Sequence, residues 1–294
     1  MRKKIWIVLV VLVLPISQSA WARSYTEVVQ FMKNLESRNP GTTQLFALGL
    51  SDSGQMIQGV KIGNGPVKNL VVGTHHGNEY GSTEVAKAVA QDLSERSLAD
   101  QTVYVIPVLN IGGYNAGVRA EMAGGRNYDP NRDYPGPCGT AGPFHLKSTR
   151  ALADFIASEQ IVTVATLHTY SPAVLYPWGI STRDTGTPYD DIFIHLGQLA
   201  TVESHYDVGN STLLLYPADG TFEDYTFWEH GIWGMLFELG FTHYPSQGQI
   251  DEMVRVNVPG IRRMLANAPR ERAADHAFHG RCDSSLKNRD RHDE

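Results

Sequence analysis

The stretch Leu70-Val71-Val72-Gly73-Thr74-His75-His76-Gly77-Asn78-Glu79 sets how the rest of the chain is read. Residues suited to a strand covered on both faces run into a turn that carries an imidazole and a carboxylate. The same pairing of an apolar run with a polar ligand-type residue at its end recurs twice. His168 follows Ile161 to Leu167, and Glu238 falls near the end of Gly234 to Leu239. Apolar runs at Val103 to Leu109 and Thr212 to Leu215 read as further strands. Amphipathic stretches at Tyr25 to Leu35, Ser82 to Leu93, Leu146 to Ser158, Asp191 to Val202 and Asp251 to Leu265 read as helices. This alternation predicts one α/β domain with a mixed, largely parallel central sheet and helices on both faces. Open sheets of this kind bind ligands at the carboxyl edge of their strands, and His76, Glu79, His168 and Glu238 all fall there.

The 294 residues, 42% hydrophobic and 19% charged, can bury one full core. Glycines and prolines without a strict period exclude a collagen-like chain, and the apolar fraction excludes wholesale disorder. Residues 1–22 read as a secretory signal peptide: Arg2, Lys3 and Lys4 precede the apolar run Ile5 to Leu14, and Ala20-Trp21-Ala22 offers a small-residue cleavage site. That run is well short of the roughly 20 residues needed to span a bilayer, so the expectation is an exported protein, periplasmic or secreted, with no stable membrane anchor after cleavage. Cleavage removes three cations and takes the formal charge from −6 to −9 over 272 residues, which argues against nucleic acid as a partner. Residues 23–268 form the expected single folded domain. Beyond them 269–294 reads as a polar, solvated C-terminal tail, with Phe278 and Leu286 its only large apolar residues. Cys138 and Cys282 are the only cysteines; exported pairs often bond, though spacing alone leaves the pairing open.

His76 and Glu79 share one turn, where both can reach a single cation, and His168 can supply a third ligand 88 residues later. Three protein ligands with an open fourth position describe a catalytic zinc site holding one Zn2+ ion. His75 is set aside as a ligand, because adjacent residues leaving a strand point in opposite directions. The loop Gly125-Arg126-Asn127-Tyr128-Asp129-Pro130-Asn131-Arg132-Asp133-Tyr134-Pro135 brings forked guanidinium donors that suit an anionic substrate group.

From Tyr25 to Leu265 the chain resembles the zinc metallocarboxypeptidases, the group that includes carboxypeptidase A and carboxypeptidase D. Five blocks carry the resemblance in order: Gly49 to Gly54, with Gln55 where an arginine is usual; His76-Gly77-Asn78-Glu79; Asp129 to Pro135; Leu167 to Ser171 continuing through Leu175 to Gly179; and Tyr216-Pro217-Ala218-Asp219-Gly220 through Asp224 to Glu238. The resemblance implies that His76, Glu79 and His168 bind zinc, that Asp129 holds the far nitrogen of His76, and that Asn131 and Arg132 take a substrate's terminal carboxylate. It further implies that Tyr216 closes over that carboxylate, that Glu238 is the general base, and that Glu223 faces the terminal side chain and favours a basic or amine-bearing one. Arg126 is the expected oxyanion-stabilising guanidinium, with Arg119 in reserve.

The implied partner is a peptide with a free C-terminal carboxylate, cell-wall (peptidoglycan) stem peptide being a special case suggested by export. Two other readings compete. Zinc deacylases of the aspartoacylase and succinylglutamate desuccinylase type share the first motif, and a non-catalytic peptide-binding protein would share the fold. The Tyr216 to Glu238 block and the intact set of ligands and base count against both.

Overall fold

The computed structural model describes residues 24–139, 143–183 and 186–282, so the expected signal peptide and the last part of the tail lie outside the described residues. Helix α1 (Tyr25–Arg38) is capped by Ser24, which accepts from the Thr26 amide, and buries Val28, Met32 and Leu35 along one face. Three strands follow, β1 (Thr43–Leu50), β2 (Met56–Ile62) and β3 (Val67–Gly73), then α2 (Tyr80–Glu95) and β4 (Gln101–Ile106). A short α3 (Ile111–Ala116) and a hairpin of β5 (Glu121–Ala123) and β6 (Arg126–Tyr128) lead to α4 (Lys147–Ser158). The second half runs β7 (Thr163–His168), β8 (Ala173–Tyr176), α5 (Asp190–Ala200), β9 (Asp207–Asn210), α6 (Ser211–Leu214), α7 (Phe222–His230), β10 (Trp233–Glu238) and α8 (Gln247–Asn267).

Eight strands form one sheet in the order β1-β2-β4-β3-β7-β10-β8-β9. Its centre, β4-β3-β7-β10, is parallel throughout, and β4 and β7 are buried at every position, as strands covered on both faces must be. Antiparallel pairing brings β2 and β1 to one side and β8 to the other, with β9 parallel to β8 at the far edge. Helices flank the sheet as expected. Register then sets the site: Glu238 pairs with His168 across β10 and β7, and Gly73 pairs with Leu167, so three strands end side by side at one edge.

The expected strand at Thr212 to Leu215 is instead α6. Asn210 accepts from the Thr212 amide and starts a helical turn, Leu213 is exposed, and a short apolar run does not by itself distinguish strand from helix. The strands outside the parallel centre, β1, β2, β8 and β9, escape the sequence reading: polar residues interrupt β2 and β9, and β8 is only four residues long.

Residues 269–282 are not a solvated tail. Arg272 donates to the carbonyls of Ile161 and Ile156, the Ala273 amide donates to Gly231, and Trp233 Nε1 donates to the Glu271 carbonyl. Phe278 packs edge-on against Trp178, and Cys282 is disulfide-bonded to Cys138, 144 residues earlier. Composition misleads here because backbone hydrogen bonds and a single arginine do the holding rather than large apolar side chains. Among the described residues no helix is long and apolar enough to cross a membrane.

Candidate active site

The turn after β3 depends on an unusual backbone. Thr74 adopts φ 60°, a left-handed conformation that costs a β-branched residue of order 1–3 kcal/mol. Its hydroxyl lies 2.6 Å from Thr83 Oγ1 and donates to the Pro107 carbonyl, its amide donates to Ser82 Oγ, and its carbonyl accepts from Asn110. The chain thereby leaves the sheet with His75 directed into the core and His76 toward the cavity. Gly77 is required by space: a Cβ there would sit 2.0 Å from the Gly113 carbonyl carbon. Glu79 ends the turn immediately before α2.

His76, Glu79 and His168 converge, their ligand atoms all within 4.8 Å of one another. His76 Nδ1 lies 2.7 Å from Glu79 Oε1 and 3.2 Å from His168 Nδ1, and His168 Nδ1 lies 3.1 Å from Glu79 Oε2. Zinc bonds of 2.0–2.1 Å to tetrahedral ligands place neighbouring donors about 3.3 Å apart, so the three residues fit a zinc ion closely. All three are buried, and Thr169 donates its amide to Glu79 Oε2. Burial alone would lower the His76 pKa, yet the Glu79 and Asp129 carboxylates hold it up at about 9.

Asp129 Oδ1 lies 3.0 Å from His76 Nε2, the geometry of a carboxylate fixing the ring's tautomer. Against the effect of burial, His76, Arg132 and Arg119 keep its carboxyl well below the usual range. Arg119 grips the other oxygen of Asp129 through Nε at 2.9 Å and Nη2 at 2.8 Å, and its Nη1 stands 3.8 Å from Glu79. It lines the cavity, whereas Arg126 is exposed and does not. The guanidinium position expected for Arg126 is therefore taken by Arg119. Gly124 and Gly125, at φ 57° and 81°, make the two-residue hairpin turn between β5 and β6, and Arg126 starts the return strand facing solvent. That glycine pair was the signal in the sequence that would have separated the two arginines.

Around the same cavity, of about 330 Å³, stand Asn131, Arg132, Tyr216, Glu223 and Glu238. Asp129 accepts from the Asn131 amide, and Asn131 Oδ1 accepts from the Phe222 amide at 2.8 Å, which ties this segment to the start of α7. Arg132 donates to Tyr216 OH at 3.3 Å and its guanidinium lies 5.8 Å from that ring's centre, while Tyr216 is half exposed at the mouth. Glu223 sits in the first turn of α7, 3% exposed, and its Oε2 has no hydrogen-bond partner among the described residues. Its neighbour Asp224 accepts from the Gly179 amide with both oxygens; burial and the Glu223 charge push its pKa well up. Glu238 ends β10 with Oε2 equally unpartnered, and burial followed by the Glu79 charge holds its pKa well above the usual carboxylate range. Tyr170 and His243 join the rim edge to face, 4.8 Å apart, from loops that no periodic pattern in the sequence marks.

Residues 28–260 match the family profile described as Peptidase_M14, zinc carboxypeptidase. The chain belongs to the zinc carboxypeptidase family. Among curated relatives it is 24% identical over 250 residues to a carboxypeptidase B of Astacus astacus, covering 71% of this chain and 82% of that protein. It is 26% identical over 277 residues to carboxypeptidase B of Rattus norvegicus, with 76% and 66% covered. The bovine thrombin-activatable fibrinolysis inhibitor, solved with a tick carboxypeptidase inhibitor, superposes with a TM-score of 0.76 at 16% identity over 83% of this chain and 96% of that one. Murein-tripeptide amidase from Escherichia coli O157 superposes at 0.53 and 16% identity, over 78% and 94%. The protein is thus a hydrolase of the zinc carboxypeptidase family, whose members use one zinc ion, and His76, Glu79 and His168 are the residues that could hold it.

Proposed function

We propose that this zinc carboxypeptidase is an exported enzyme that removes the C-terminal residue of peptides and prefers a basic or amine-bearing one. The observation that carries the reading is the single cavity into which the ligand triad, Glu238, the Asn131–Arg132 segment and the unpartnered Glu223 carboxylate all open. Arg132 and Asn131 bind the terminal carboxylate, and Tyr216, already resting on Arg132, covers it. Glu223 receives the cation of the terminal side chain in a site where an unpaired charge would be costly.

When bound by His76, Glu79 and His168, zinc supplies Lewis-acid polarisation of a carbonyl and lowers a water's pKa toward about 7. Glu238 takes the proton from the attacking water and returns it to the leaving amine. Arg119, held by Asp129, stabilises the oxyanion as it develops. Asp129 keeps the His76 ring oriented throughout.

Export rests on the sequence of residues 1–22, and in a periplasm an abundant peptide with amine-bearing residues is cell-wall stem peptide. The fold it shares with a murein-tripeptide amidase makes that substrate the special case to test. The experiment is mass spectrometry of a mixed panel incubated with the zinc-loaded protein and with Glu238→Gln. The panel holds free-carboxylate peptides with varied last residues, their C-terminal amides, N-acyl amino acids and stem peptides. The expected result is loss of one residue from free-carboxylate substrates only, fastest where that residue carries an amine, and at least a 100-fold slower reaction in the variant, which keeps its zinc. Cleavage confined to N-acyl amino acids would replace this reading with the deacylase one.

A further inference from the structure

His75 is not used by any step above, yet it is fully buried between the parts of the site. Its ring lies nearly parallel to that of His168, 21° apart with centroids 5.4 Å apart, an offset-stacked arrangement. Nε2 stands 3.1 Å from Tyr134 OH and Nδ1 stands 3.3 Å from Thr166 Oγ1, so both ring nitrogens meet hydroxyls on different elements. Phe222 touches the same ring at 5.1 Å, and Tyr134 in turn packs on Phe222 at 5.0 Å. The Tyr134 amide donates to Gly220, which anchors that tyrosine to the loop leading into α7.

A bare apolar residue would fill this space but would strand two buried hydroxyls and offer no directional bonds to set its orientation. Two hydrogen bonds at opposite sides of the imidazole instead fix its plane, and the stacked His168 must follow that plane. We infer that His75 is a positioning residue: clamped by Tyr134 and Thr166, it sets the orientation of the His168 ring and so the geometry of the metal site. The inference rests on the zinc-site reading, and its test reads metal binding directly, so a wrong substrate assignment leaves it standing.

The test compares His75→Gln and Tyr134→Phe with the parent. Glutamine keeps a donor and an acceptor for the two hydroxyls but offers no ring face, and phenylalanine removes one clamp at constant packing. Zinc affinity is measured by competition with a chromophoric chelator, the visible absorption of the cobalt-substituted proteins reports ligand geometry, and thermal melting monitors the fold. His75→Gln is expected to weaken zinc binding roughly 10- to 100-fold, to shift the cobalt bands, and to lower kcat with KM little changed. Tyr134→Phe is expected to move zinc affinity and the cobalt bands in the same direction by a smaller amount. A lower melting temperature with unchanged zinc affinity and cobalt bands would assign His75 to packing alone and overturn the inference. Should His75→Gln fail to fold, a parent-like zinc affinity and cobalt spectrum in Tyr134→Phe would overturn it equally.

Discussion

Glu121→Gln is expected to gain stability over the parent as pH rises, by about 3 kcal/mol between pH 4.5 and pH 8. Glu121 begins β5 at 1% exposure; Ser148 donates to its Oε2, and Oε1 has no hydrogen-bond partner among the described residues. Burial pushes its carboxyl up to about 7 from an ordinary 4.5, the Ser148 hydroxyl opposing and the charges of Asp52 and Asp133 assisting. Between those two values the folded protein keeps a proton that the unfolded chain has released. The stability tied to this group is therefore complete below pH 4.5 and is lost as pH rises through about 7. The interval between the two values corresponds to about 3 kcal/mol. Glutamine stays neutral at every pH and still accepts from Ser148, so it removes the slope. Urea unfolding of both proteins in identical buffers from pH 4.5 to 8 measures it, and the difference between the two cancels the other titrating groups. A difference that stays flat across that range would mean that Glu121 is already ionised in the folded protein, and the reasoning from burial would fail.

Arg119→Ala should lower kcat by about 100- to 1,000-fold, while Arg126→Ala should leave it within about twofold; the reverse order in steady-state assays would return the oxyanion role to Arg126. Glu223→Gln should cost peptides ending in a basic residue most of their advantage over apolar ones, read as the ratio of their kcat/KM values; an unchanged ratio would place selectivity elsewhere. Replacing Cys138 and Cys282 together by serine should lower stability by about 2–5 kcal/mol, because the bond closes a loop of 144 residues, and equal urea midpoints for the oxidised parent and the double variant would contradict this.

The parts legible in the sequence were those with one dominant physical cause. Val71 and Val72 read as a doubly covered strand because nothing polar interrupts them, and His76, Glu79, His168 and Glu238 follow because such strands end where ligands bind. Arg119 and Arg126 both lie near the loop before Asp129; the Gly124-Gly125 pair marks the hairpin turn that aims Arg126 at solvent, but the grip of Arg119 on Asp129 forms only in the fold. The clamp on His75 is less legible still, since Tyr134 and Thr166 lie 59 and 91 residues away and meet it only once β3 and β7 have paired. The segment after Pro269 was misread because solvation was judged from side chains, while Arg272 and backbone amides bind it to carbonyls of the body.

That segment has a bearing on how the molecule is assembled. Arg272 and Ala273 close over the entry to β7 and β10, the strands whose opposite ends present His168 and Glu238. The two central strands are thus secured at one end by residues that follow every candidate site residue in the chain. A chain that contains every site residue but stops short of Arg272 still lacks the clasp on those strands and the Cys282 that locks it to Cys138. A chain shortened before Arg272 would therefore carry every site residue on strands left unfastened at their far ends.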